Sequence, residues 1–149
     1  MILFLNYELS FSLMTHSYSN IWTHVVLEVK DQQPAISEKV RPLVKKALEE
    51  YFSETEDQQA GFSVLADHLH LLVKLPQNMS VDQLVHSIRG QISIRLEREK
   101  LGKRLDWEDR YHAHSVSLNR LSIIRSLIDR QELKHKEMTL KEELKFFGL

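Results

Sequence analysis

Apolar residues follow two different periods along this chain, and the change of period divides it into predicted strands and helices. Residues 21–29 are almost all β-branched, aromatic or otherwise apolar, which is typical of a central β-strand. Residues 61–66 and 67–73 predict two more strands, which lie so close in sequence that we expect a hairpin. Residues 111–117 alternate in polarity and predict a fourth strand.

Between and after these strands, apolar residues recur at i, i+3, i+4 and i+7, the spacing of one face of an α-helix. The first helix is expected to begin near Ser37, a good N-cap, and to start irregularly or bend at Pro42. The other helix signals are a capping box at residues 80–83, a periodic segment from Leu118 to about Lys134, and a capping box at residues 139–142 before a terminal helix that ends at Phe146 and Phe147.

The predicted elements follow the order strand, helix, strand, strand, helix, strand, helix. This is the order of the ferredoxin-like βαββαβ fold, an α+β fold in which helices pack on one face of an antiparallel sheet and leave the other face for a ligand. C-terminal helices follow the fourth strand. We expect one domain over residues 14–149, preceded by an appendage at residues 1–13 that is an over-extended start or a short added strand. The fold hosts RNA binders, metal carriers and small enzymes, so it does not indicate a function.

The composition excludes several classes of protein. A chain of 149 residues, 42% hydrophobic and 28% charged, suits one soluble domain with a hydrophobic core. It contains no cysteine, which excludes disulfides, iron–sulfur clusters and thiol nucleophiles and permits a reducing compartment; we expect the cytoplasm. The apolar N-terminal run lacks the basic start and cleavage site of a signal peptide and is too short to span a membrane.

A pair of histidines, His68 and His70, lies within the third predicted strand. Because strand side chains alternate, both rings point to one face of the sheet while Leu69 and Leu71 point to the other. Two neutral imidazoles side by side can begin a divalent-metal site, although such pairs also occur as half-buried or solvated side chains. With no cysteine in the chain, any further ligand must be a histidine, a carboxylate or an amide.

Two other features carry candidate chemistry. His112 and His114 repeat the pattern in the fourth strand, but without an evident third ligand we expect surface or sheet-face histidines there. The outer face of the second helix, with Arg89 and Arg95, holds the main basic concentration of a chain whose net charge is −1. Such a face is usually only solvated, so the charge favours at most a local contact with nucleic acid.

Several segments occur in the order in which they stand in one family. The chain resembles the single-tyrosine HUH transposases of bacterial insertion sequences, including the transposases associated with repetitive palindromes. The resemblance covers residues 17–147 and rests on the ordered set rather than on the paired histidines alone. The set consists of Trp22-Thr23-His24-Val25-Val26, Arg41-Pro42, Asp67 to Val73, Trp107 with Tyr111, Ser115-Val116-Ser117, and Gln131-Glu132 with His135.

The resemblance implies a transposase that cuts and rejoins single-stranded DNA at the foot of a hairpin, a DNA recombination reaction of mobile elements. It implies that His68, His70 and Gln131 bind Mg²⁺ or Mn²⁺, which polarises the scissile phosphate. It also implies a homodimer in which the last helix of one subunit completes the site of the other.

The nucleophile of the family does not carry over to this chain. The family has a tyrosine one helical turn before the glutamine, where this sequence has Leu127, and leucine has no nucleophilic atom. We therefore expect a DNA-binding derivative that has lost nicking, with Arg89 and Arg95 holding phosphates. The alternatives are an active enzyme that uses another tyrosine or water as nucleophile, and a ferredoxin-like metal- or RNA-binding module.

Overall fold

The structure, a computed structural model, describes residues 18–32, 35–54, 60–100, 104–131 and 139–146. The strands are β1 (Trp22–Glu28), β2 (Gly61–Val64), β3 (His68–Lys74) and β4 (His112–Val116), and the α-helices are α1 (Arg41–Ser53), α2 (Val81–Arg98), α3 (Leu121–Asp129) and α4 (Leu140–Phe146). The predicted appendage at residues 1–13 lies outside the described residues. Within the described ranges, every helix is too short or too polar to cross a membrane.

The strands form one four-stranded antiparallel sheet in the order β2-β3-β1-β4. Strands β2 and β3 pair as the predicted hairpin. Strand β1 lies between β3 and β4, with Glu28 opposite His68 and His24 opposite His114. This is the topology of the ferredoxin-like fold, so the predicted fold class is confirmed.

One face of the sheet carries the main hydrophobic core. Val25 and Leu27 of β1, with Leu69 and Leu71 of β3, are fully buried on this face against α1 and α2. The helices contribute Val44, Ala47, Leu48, Leu84, Val85, Ile88, Ile92 and Leu96. Because side chains alternate along a strand, burying these residues directs the histidines of β1 and β3 to the opposite face.

The first helix begins later than the sequence predicts. Ser37 is not its N-cap: residues 38–40 form a turn, the Ser37 carbonyl accepts hydrogen bonds from the backbone N–H groups of Val40 and Arg41, and α1 begins at Arg41. Pro42 therefore lies in the first turn, where its missing N–H has no helical acceptor to lose. The predicted capping box of α2 is present, with Ser80 accepting from the Gln83 backbone and Gln83 from the Ser80 backbone.

The second face of the sheet is not fully open. Trp22, Leu72 and Val116 form a smaller apolar cluster on this face with residues of α3. The predicted helix from Leu118 to Lys134 is also interrupted: residues 118–120 form a 3₁₀ turn, and α3 ends at Asp129 because Arg130 leaves the helical backbone conformation (φ −95°, ψ 3°). Helical conformation resumes at Gln131, and residues 132–138, which include His135, lie outside the described part of the chain.

Candidate metal centre

Strand β3 presents His68 and His70 on the face opposite the main core. Their neighbours Leu69 and Leu71 point into that core, as the alternation of the sequence predicts. Both histidines are buried, with 1% and 0% of their surface exposed, although imidazole is polar. Burying polar rings costs free energy unless they bind a partner, so the contacts of each nitrogen decide what the pair can do.

The terminal helix brings a carboxylate to the pair. Glu143 is 4% exposed, and its Oε2 lies 3.4 Å from His70 Nε2 and 4.0 Å from His68 Nε2. The predicted capping box opens this helix: Glu142 accepts a hydrogen bond from the Thr139 backbone, and the Glu142 backbone donates to Thr139 Oγ1. The sequence predicts the helix, but no local signal indicates that Glu143 meets the histidines.

The three side chains are chemically suited to a divalent cation. One donor atom from each of His68, His70 and Glu143 can be chosen so that all lie within 4.8 Å of one another. Around an ion with bonds of about 2.1 Å, neighbouring donors are roughly 3.0–3.4 Å apart, so small side-chain shifts would bring the set into range. A cation would also offset the negative charge of the buried carboxylate.

Both ligand candidates have a partner on the ring nitrogen that faces away from Glu143. His68 Nδ1 lies 2.6 Å from Asp67 Oδ1, and since a carboxylate only accepts, the ring nitrogen donates. His70 Nδ1 lies 3.0 Å from Nε2 of His24, a buried residue of β1. Each histidine of the pair therefore has its Nδ1 atom engaged and its Nε2 atom directed toward the carboxylate.

His24 lies in a cluster of imidazole rings on this face. Its ring lies edge to edge with that of His70, with centroids 5.2 Å apart, and meets the ring of His114 at 4.9 Å. Burial, together with the neighbouring His70 and His114, lowers the pKa of His24 from 6.5 to about 3, although Glu143 opposes the shift. His24 is therefore neutral at pH 7.

The second histidine pair is placed differently. His112 Nε2 lies 2.9 Å from Glu28 Oε1, and burial lowers the pKa of His114. Within the described residues, His68, His70 and Glu143 form the single group of three histidine or acidic side chains close enough for a metal. Neither His112 nor His114 belongs to it.

Comparison with known proteins identifies the family. The sequence model described as "Transposase IS200 like" matches residues 17–131. The chain belongs to the IS200-like transposase family. The predicted resemblance is thereby confirmed at the level of the family. No curated protein gives a significant match.

Two solved structures have the same fold. A candidate transposase from Deinococcus radiodurans R1 is 16% identical, with a TM-score of 0.57 over 78% of this chain and 94% of that one. A REP-associated tyrosine transposase bound to a REP hairpin is 14% identical, with a TM-score of 0.59 over 79% of this chain and 70% of that one. At these identities the likeness concerns the fold.

The third ligand predicted for this IS200-like chain, Gln131, is fully buried. Neither its Oε1 nor its Nε2 has a hydrogen-bond partner within the described residues, so the amide is not bonded to His68 or His70. A buried amide without partners costs free energy, and an acceptor oxygen in that state is suited to binding a cation. Its role as a ligand stays a prediction.

Leu127 stands where the sequence resemblance implies the family's tyrosine, and that assignment stays a prediction. Its half-buried side chain packs against the cluster of Trp22, Leu72 and Val116. It also lines a cleft of about 430 Å³ between β4 and α3, together with His114, Ser115, Val116, Ser117, Arg120 and Ile124. A longer side chain at this position could therefore reach into open space beside the histidine-bearing face.

The two arginines predicted to bind nucleic acid are engaged within the domain. The Arg89 guanidinium donates to the Glu108 carbonyl at 2.7 Å and lies 5.9 Å above the Trp107 ring, and burial lowers its pKa. Arg95, whose side chain is 13% exposed, pairs with Glu50 of α1 and lies 3.8 Å from Glu99. Contact between these arginines and DNA stays a prediction.

Proposed function

We propose that this member of the IS200-like transposase family binds hairpin-bearing single-stranded DNA and has lost the ability to nick it. The proposal is supported by a buried group of His68, His70 and Glu143 together with a leucine, Leu127, where the sequence resemblance implies the nucleophile. The first feature suits a bound divalent cation, whereas Leu127 has no atom that could attack a phosphate.

In this proposal His68 and His70 bind Mg²⁺ or Mn²⁺, with Glu143 as a ligand that the sequence did not predict and Gln131 as the predicted amide ligand. When bound, the cation would act as a Lewis acid toward a phosphate. Carboxylate and amide oxygens favour hard cations, and imidazole nitrogens favour Mn²⁺ over Mg²⁺. We therefore expect the tighter binding with Mn²⁺.

Two of the three tyrosines in the described residues support the loss of nicking; the third, Tyr18, is 84% exposed. Tyr51 and Tyr111 both pack against the core of Val25, Leu27 and Leu69, on the face of the sheet opposite the histidines. Burial raises the pKa of Tyr111, and the charge of Asp82 and a hydrogen bond with it act in the same direction. Neither hydroxyl is on the side of the sheet where a nucleophile would be needed.

DNA binding is proposed from the family and from one neighbour, the REP-associated transposase whose structure contains a REP hairpin. In this chain Arg89 and Arg95 are the proposed phosphate contacts. A guanidinium has five N–H donors, so an arginine held by one carbonyl, as Arg89 is, or by two carboxylates, as Arg95 is, can still donate to a phosphate oxygen. Their fixed positions would reduce the entropy lost on binding.

A homodimer is part of the same proposal. Strand β4 is at the edge of the sheet, and within the described residues no strand pairs with its outer side. Leu118 and Ile123, which lie just after β4 and in α3, are 55% and 52% exposed. An unpaired edge beside exposed apolar side chains is a frequent place for association between two chains.

Restoring the tyrosine tests the proposal. We expect the natural chain to bind a single-stranded DNA hairpin in Mn²⁺ without cutting it, and Leu127→Tyr to nick the strand and become covalently attached to it. Leu127→Phe is the matched control, because it adds the ring without the hydroxyl. Covalent attachment is read as a band shift on a denaturing gel.

Two outcomes would contradict the proposal, and a third would extend it. Cleavage by the natural chain would favour an active enzyme with another nucleophile. Equal affinity for RNA and for hairpin DNA would favour a metal- or RNA-binding module. Hairpin binding by Leu127→Tyr without nicking would show that more than one residue separates this chain from an active transposase.

A further inference from the structure

The buried ring of His24 has no role in the function proposed above. It lies in β1, between β3 and β4, and has no solvent exposure. Its Nε2 is 3.0 Å from Nδ1 of His70, a residue 46 positions away in the sequence. His24 therefore contacts one of the proposed ligands directly, on the side of the ring away from Glu143.

A hydrogen bond between two imidazole nitrogens requires one of them to carry the proton and the other to offer a lone pair. His70 Nε2 faces Glu143 at 3.4 Å, so this is the atom that would bind a cation shared with the carboxylate. A neutral histidine that binds a metal through Nε2 carries its proton on Nδ1. That proton then points at His24 Nε2, which must be the acceptor.

We propose that His24 is a positioning residue of the metal centre: it accepts a hydrogen bond from His70 Nδ1 and thereby holds His70 in the tautomer that binds a cation through Nε2. The inference rests on the proposed metal site. It goes further by assigning a role to a residue of the neighbouring strand.

His68, the other proposed histidine ligand, also has a partner at Nδ1, but that partner is a carboxylate and not an imidazole. Asp67 Oδ1 accepts from His68 Nδ1 at 2.6 Å, which leaves His68 Nε2 facing Glu143 as well. Partners of this kind orient metal-binding histidines, and their loss typically lowers metal affinity about 10- to 100-fold. One ligand is thus oriented by a carboxylate and the other by a neutral ring, which adds no further negative charge to a buried site.

The surroundings of His24 hold its ring in place. Its plane lies within 22° of that of His70, as a hydrogen bond between the two ring nitrogens requires, and the ring of His114 meets it edge-on at 84°. Strand pairing places His24 opposite Leu72 on one side and His114 on the other. A ring fixed in this way keeps its acceptor atom aimed at His70 and needs little reorganisation when a ligand binds.

Two substitutions separate positioning from packing. His24→Phe keeps a ring but has no acceptor, and we expect Mn²⁺ affinity, measured by calorimetry on the full chain, to fall about 10- to 100-fold. In His24→Gln the amide oxygen can take the place of Nε2, so affinity should stay within a few-fold of the natural chain. His114→Phe is the control: it alters the same cluster of rings, and we expect no comparable loss.

Nitrogen NMR shows which ring nitrogen of His70 carries the proton, a property that would not depend on His24 if His24 only filled space. With Zn²⁺ as a diamagnetic probe, long-range ¹H–¹⁵N spectra of the natural chain should show His70 protonated at Nδ1 and bound through Nε2. The opposite tautomer would overturn the inference, and this measurement does not depend on any variant folding. Unchanged Mn²⁺ affinity in His24→Phe would also overturn it while leaving the metal site intact. If the natural chain bound neither Mn²⁺ nor Zn²⁺, both the positioning role of His24 and the proposed metal site would be wrong.

Discussion

The ionisation of a single buried side chain, His24, makes the stability of the folded chain depend on pH. Its pKa is about 3 in the folded chain, compared with 6.5 for an unperturbed histidine, because burial and the neighbouring His70 and His114 disfavour the charged ring. Between these two values the unfolded chain carries a proton at this residue that the folded chain does not. Folding is therefore opposed progressively as the pH falls through this range.

We expect the unfolding free energy of the metal-free protein to decrease from about pH 6.5 toward pH 3, and His24→Gln to show a weaker decrease. The slopes of unfolding free energy against pH differ between the two proteins by the uptake of at most one proton. One proton corresponds to about 1.4 kcal/mol per pH unit. Urea unfolding at several pH values measures the difference in slope. Parallel curves for the two proteins would show that His24 already takes up its proton in the folded state.

At the scale of elements, the terminal helix α4 is short and yet supplies a buried ligand candidate. Seven residues, Leu140–Phe146, are fewer than an isolated helix needs for stability in water. Its position therefore depends on its cap and on packing: Thr139 and Glu142 form the capping box, and Leu140 and Glu143 are buried. Weakening the cap should therefore let the Glu143 carboxylate move away from His68 and His70.

Thr139→Ala tests this dependence. We expect it to destabilise α4 by about 1 kcal/mol, to speed amide hydrogen exchange in residues 140–146 and to weaken Mn²⁺ binding. Ser80→Ala is the matched control, because it removes the equivalent cap of α2, which packs on the face of the sheet opposite the metal ligands. If the two variants lose Mn²⁺ affinity equally, the effect is one of global stability and not of α4.

At the scale of the whole molecule, a cation at this site would join the sheet to the C-terminal helix. His68 and His70 belong to β3, and Glu143 lies more than 70 residues later in the chain. Ligands so far apart in sequence are brought together only by folding, so a cation binds the folded chain in preference to the unfolded one. Binding energy then appears as stability.

We expect Mn²⁺ at about 100 times its Kd to raise the unfolding free energy by about 2.7 kcal/mol and the melting temperature by several degrees. Glu143→Gln should lose most of this increase, since an amide replaces the carboxylate. Glu142→Gln is the control, because glutamine can also serve in a capping box. Melting curves with Mn²⁺ and with a chelator provide the comparison, and an equal increase in both variants would exclude Glu143 as a ligand.

The sequence alone determined those features that a local pattern records. The period of two places His68 and His70 together on one face of β3, and the capping boxes at Ser80 and Thr139 mark the starts of α2 and α4. The order of elements was enough for the ferredoxin-like fold, since few topologies connect strands and helices in that order. The ordered motifs also led to the correct family.

The tertiary structure decided what depends on distant contacts. The meeting of Glu143 with His68 and His70, and that of His24 with His70, depend on how α4 and β1 pack and leave no local periodicity. The end of α3 at Asp129 has no glycine or proline to mark it in the sequence. A local pattern specifies which face a side chain occupies, whereas its partners across that face depend on the packing of the whole chain.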